Sequence, residues 1–154
     1  MNLKLFPILL VLIFSVNSYA KDLPEWFYQS IKVKDPDQLA YFLETSQACP
    51  FTKDSLHKIV DGVLIRSRLK PLKEDIFVHN RIYLNLIVNC VPLKSGNPVF
   101  SIRTNFARFQ PFPAIIIDNE FGTTGIGPED FIKQAFKESV ENAVTAHIKA
   151  NFDL

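Results

Sequence analysis

The sequence predicts an α+β domain: a two-layer sandwich in which an antiparallel meander of three to four strands packs against one helix from the N-terminal half and a long C-terminal helix. Three observations carry that expectation. Two stretches in the middle of the chain alternate apolar and polar residues with a period of two, as half-buried strands do. Two other stretches repeat their apolar residues at three and four positions, the signature of amphipathic helices. The strands are consecutive and the helices flank them, an order that favours helices laid on one face of an antiparallel sheet.

The first segment after residue 20 offers Asp22 as a cap and Pro24 near a first helical position, followed by Trp26, Phe27 and Ile31 as apolar residues. A short helix and an extended lead-in both fit it. Residues 35–48 are ambiguous in the same way, because Leu39, Phe42 and Leu43 suit a helix while Leu39, Tyr41 and Leu43 suit a strand; the reading leans to strand. Thr52 is a good helix cap, and Leu56, Ile59, Val60, Val63 and Ser67 form a stripe that Pro71 ends. The basic run from Arg66 to Lys73 falls where that helix closes, and cations there offset the exposed carbonyls.

In the hairpin, Ile82, Leu84, Leu86, Val88 and Cys90 point one way and Tyr83, Asn85, Ile87 and Asn89 the other. In its second strand Phe100, Ile102, Thr104 and Phe106 face the core, opposite Ser101, Arg103, Asn105 and Ala107. A third strand is expected at Ala114 to Asp118, then a glycine-rich hinge, then a helix whose stripe is Ile132, Phe136, Val140, Ala143, Val144, His147 and Ile148.

The N-terminus reads as an export signal. Lys4 precedes an apolar core from Leu5 to Val16, and Ser18 and Ala20 suit cleavage before Lys21. The division is then a cleaved signal peptide, 1–20, and a single exported domain, 21–154, of 134 residues. Without Lys4 the domain has 16 basic and 16 acidic residues, a balance that argues against nucleic acid and anionic membranes as partners. The apolar run is too short and too interrupted by Pro7 to serve as a membrane anchor. Cys49 and Cys90, the only two cysteines, are expected to form a disulfide in an oxidising compartment. That bridge would pin the start of the helix at Thr52 onto the buried face of the sheet.

Gly122, Gly125 and Gly127 sit between a strand and a helix, as in nucleotide-binding loops, but the details oppose phosphate. No second βαβ unit follows, and the last glycine precedes Pro128, Glu129 and Asp130 instead of a lysine and a hydroxyl residue. Proline brings no N–H, and the carboxylates serve the helix's own positive end. Asp118, Glu120, Glu129 and Asp130 match no calcium loop, so no metal and no cofactor is expected. His57, His79 and His147 are scattered, and no nucleophile motif accompanies them, so no catalytic residue is assigned.

What remains is a surface. The sheet face away from the helices would present Tyr83, Asn85, Arg103 and Asn105, with Phe109 as an apolar anchor, a set suited to recognising a protein or polar ligand. The sequence is thus read as an exported, non-enzymatic binding or accessory protein of the cell envelope with a protein partner, acting through this face or an exposed strand edge. The alternatives are a small periplasmic hydrolase whose site assembles only in three dimensions, and a small-ligand carrier with an apolar pocket.

Overall fold

The computed structural model describes residues 23–94, 96–110, 114–117 and 121–152. The expected signal peptide, Asp22, Asp118 and Glu120 fall outside that set. In chain order the elements are α1 (Glu25–Ser30), β1 (Gln38–Thr45), α2 (Lys53–Arg66), β2 (Lys70–Lys73), β3 (Ile82–Val91), β4 (Val99–Arg108), β5 (Ile115–Ile116), β6 (Thr123–Ile126) and α3 (Glu129–Asn151).

The alternating residues of β3 and β4 form the centre of one sheet, paired antiparallel from Ile82↔Arg108 to Val91↔Val99. That register puts Leu84 beside Phe106, Leu86 beside Thr104 and Val88 beside Ile102 on one face, all buried. The meander continues into β5 and β6, which pair with opposite ends of β4. On the other side β1 lies parallel to β3 and β2 parallel to β1. The ambiguous segment at 35–48 therefore resolves as a strand, and the order across the sheet is β2-β1-β3-β4-β5.

The helices cover one face. Thr52 caps α2 by accepting from the Ser55 N–H at 3.3 Å, and Leu56, Val60, Val63 and Leu64 are buried beneath it. The helix closes with Arg68 in the left-handed region, φ 61°. Leu69 N–H donates to the Leu64 carbonyl at 2.9 Å and Arg68 N–H to that of Ile65 at 3.0 Å, a Schellman closure with arginine where glycine is usual. The basic run is thus divided: Arg66 ends the helix, and Lys70 to Lys73 form β2, an edge strand that tolerates Pro71. Along α3 the expected stripe is buried from Ile132 to His147. No helix among the described residues is long and apolar enough to cross a membrane.

Cys49 and Cys90 are joined, with Cα atoms 4.9 Å apart. The bridge ties the turn before α2 to β3, and hydrogen bonds reinforce it: Ser46 N–H donates to the Val88 carbonyl and Ser46 Oγ accepts from Cys90 N–H, each at 3.0 Å.

The second face is partly covered as well. Since β2 and β3 run parallel on either side of β1, residues 74–81 must return across the sheet, and they do so on the face away from the helices. Ile76 is buried there with Ala40, Tyr83 and Ala107, flanked by Phe42, Leu72 and Phe109. Glu74 and Asn80, at the two ends of the crossing, have φ of 56° and 62°, the sharp turns such a short return requires.

Candidate functional site

The crossing divides the sheet face that the sequence singles out. Asn85 and Asn105 are register partners on β3 and β4, and Asn85 Nδ2 donates to Asn105 Oδ1 at 3.3 Å. Tyr83 and Asn105 are each only 4% exposed, because the 74–81 crossing and its apolar cluster lie over that end of the sheet. Phe109 is half-buried, edge-on to Phe77 with ring centres 5.5 Å apart. Arg103 is exposed opposite Ile87, in line with Glu44. The five residues share one side of the sheet without making one continuous exposed patch.

The glycine segment builds a different feature. Instead of a hinge, Thr123–Ile126 form strand β6, and the glycines are set by packing. A side chain at Gly125 would meet the Phe100 ring at 3.0 Å, and one at Gly122 would meet the Ile102 carbonyl oxygen at 2.7 Å. With nothing projecting from Gly125 toward the helix, a groove of about 550 Å³ opens between β6 and the first half of α3. Its floor is Phe100, which meets Phe131 edge-on with centres 5.9 Å apart, and its helical wall includes Gln134, Ala135 and Glu138. Phe121 closes one end, held by its carbonyl to Ser139 Oγ, which also bonds Thr104 Oγ1 at 2.7 Å.

The groove has a polar lip. Gly127 N–H donates to the Pro98 carbonyl at 3.3 Å, so by antiparallel alternation the N–H and C=O groups of Thr124 and Ile126 turn away from β4. No described strand pairs with that edge of β6. Beside it Phe131 is 53% and Ile126 60% exposed, large apolar side chains flanking unpaired main chain. The sequence hides this edge, because glycine and threonine at 122–127 carry no strand alternation.

A buried polar cluster sits at the other side of the helical layer. Tyr41 is wholly buried, and its hydroxyl donates to Asp61 Oδ1 at 2.6 Å. That bond leaves the oxygen to accept from His57 Nδ1 at 3.1 Å, which fixes the imidazole with its proton on Nδ1. His57 Nε2 faces Glu74 Oε1 at 3.6 Å, and Lys53 Nζ pairs with the same oxygen at 3.0 Å. Burial raises the Tyr41 phenol far above its usual range, with Asp61 adding to it; burial and then Lys73 hold His57 below the ordinary histidine value. A phenol locked as a donor and a neutral histidine tied to it clamp α2 to β1. Neither residue lines the groove beside β6. Lys53, His57 and Asp61 recur at four-residue spacing on one helix, which is the signal that could have linked them.

His147 is fully buried and plays a similar part: Nε2–H donates to the Pro36 carbonyl at 3.0 Å, and Nδ1 accepts from Asn151 at 3.4 Å. Among the described residues no cluster of three or more His, Cys, Asp or Glu is placed to hold a metal ion. Comparison with protein-family models and with curated proteins gives no match for this chain.

Proposed function

We propose that the chain is an exported, non-enzymatic binding or accessory protein that takes an extended segment of a partner protein along the free edge of β6. One observation carries the reading: an unpaired strand edge and a groove floored by Phe100 and Phe131 lie side by side, between β6 and α3. Strand addition uses main-chain hydrogen bonds for affinity and pockets for alternate side chains for selectivity. Thr124 and Ile126 would supply the hydrogen bonds, and Phe100, Phe121 and Phe131 the pocket for one apolar side chain of the guest. The disulfide supports export, since such bonds persist in oxidising compartments.

The test is a screen of random peptides displayed on phage against the disulfide-bonded protein. Selected peptides should protect the Thr124 and Ile126 amides from exchange, and Thr124→Pro, which removes an outward N–H at an edge position where proline is tolerated, should abolish binding. Peptides that bind Thr124→Pro as well as the parent, or a screen that selects none, would refute strand addition.

A further inference from the structure

A second cleft, on the opposite side of the molecule from β6, is built unlike the first. It lies between the segment after α1 and the 74–81 crossing, with a volume of about 320 Å³. Its rim carries Lys32, Lys34, Arg81, Arg108 and His79, and Asp35 is the one carboxylate among its lining residues. Four permanent cations stand against Asp35 and the Asp75 that pairs with Arg81, an excess of two in a chain whose net charge is only +1. Leu72 and the exposed Val78 give the cleft an apolar floor, with Ala40 and Ile82 buried at its margin.

The cations fall into two groups. Arg81 is oriented by Asp75, bonding its carboxylate and, at 2.9 Å, its carbonyl oxygen; Arg108 Nη2 donates to the Ser30 carbonyl at 3.0 Å. Lys32 and Lys34 have no carboxylate within ion-pair distance among the described residues. Asp35 is itself engaged by Gln38.

Both walls are fixed in place. Asn151, at the end of α3, accepts from Val33 N–H at 2.8 Å and donates to the Ile31 carbonyl at 3.3 Å, which holds the lysine-bearing segment. Across the cleft, Asn80 N–H donates to the Phe109 carbonyl and Phe109 N–H to that of Arg81, each at 2.9 Å. Two walls held in place spare the backbone an ordering cost on binding, so that a ligand has only the side chains of Lys32 and Lys34 left to fix.

We propose that this cleft binds an organic phosphate, the phosphate at the lysine and arginine rim and an apolar moiety on the floor of Leu72 and Val78. A doubly charged group with three terminal oxygens can meet cations from both walls with more charge and more contacts than a singly charged carboxylate offers. Strand addition at β6 does not enter this inference, and neither stands or falls with the other.

The probe is phenyl phosphate, titrated by calorimetry into the full chain produced in an oxidising compartment and purified with its disulfide intact. Saturable one-to-one binding is expected, weaker for inorganic phosphate, which leaves the floor unused, and weaker as salt rises. Lys32→Gln combined with Lys34→Gln should lower the affinity about tenfold or more, since two charge-assisted contacts are lost. Both lysines are exposed, so the unfolding temperature should be unchanged, and Arg108→Gln gives an independent second variant. A parallel arm uses phosphatidylcholine vesicles with and without phosphatidic acid. Binding to the acidic vesicles that phenyl phosphate displaces, and that the lysine variant loses, would assign the phosphate to a lipid; binding of the soluble probe alone would assign it to a free metabolite. Absence of saturation in both arms, or equal affinity in the lysine variant, would overturn the proposal.

Discussion

Reducing the Cys49–Cys90 bond isolates one contribution to stability that can be calculated from the fold. The bond closes a loop of 41 residues that contains α2, β2, the crossing and β3. In the chain-entropy treatment a loop of that size restricts the unfolded state by about 4 kcal/mol. The native side should change little, because Ser46 still holds the turn to Val88 and Cys90 through its own hydrogen bonds. A loss of about 4 kcal/mol is a large part of the 5–15 kcal/mol that stabilises a typical domain. With a urea dependence of about 2 kcal/mol per molar, the midpoint should fall by about 2 M on reduction. Far-ultraviolet circular dichroism is the suitable probe, since Trp26 is 62% exposed and its fluorescence would report the fold poorly. A shift under about 0.5 M would mean that the unfolded chain is already restricted and the entropy argument fails. Two reactive thiols in unreduced, denatured protein would remove its premise.

Acidification should destabilise the fold as pH falls below about 6.5, the ordinary histidine value. Burial holds His57 and His147 below the ordinary histidine value, so the unfolded chain takes up protons first; stability present above about pH 6.5 is lost as pH falls toward the folded values, at up to about 1.4 kcal/mol per unit for each histidine. Urea midpoints across that range measure it; His147→Gln, which keeps a donor for Pro36, should flatten the dependence, and a midpoint indifferent to pH would contradict the burial argument. Two glycines should respond in opposite directions to alanine. At Gly62, inside α2, the new methyl meets only the Arg66 guanidinium at 3.4 Å, and the gain should be about 0.5–1 kcal/mol. At Gly122 it meets a backbone oxygen at 2.7 Å, and the loss should be about 1–3 kcal/mol. Thermal unfolding of the two variants would settle the order, and a stabilised Gly122→Ala would show that β6 is not held against β4 as described.

Features encoded by near neighbours were legible in the sequence. The alternation of β3 and β4, the stripe of α3 and the Thr52 cap each depend on residues within a few positions of one another, and two cysteines allow only one intramolecular bond. The strands β2 and β6 were not legible. The first is four residues containing Pro71, the second four containing Gly125, and both owe their conformation to the longer strand beside them. The covered end of the sheet face was hidden for a topological reason: only once β2 and β3 are known to be parallel must residues 74–81 cross over Tyr83. The phosphate cleft was invisible because its cations come from residues 32–34, 81 and 108, none of which forms a run. The one run that charge counting found, Arg66 to Lys73, is spent on a helix end and an edge strand.

Asn151 and His147 grip Ile31, Val33 and Pro36 across 111 to 120 residues of chain. Residues 31–36 therefore lack part of their seat until the final helix has been made. A nascent chain stopped anywhere short of α3 would lack the groups that fix residues 31–36, and contacts so distant in sequence form slowly. Under the proposed export, a first segment that docks last suits passage through a narrow pore before folding.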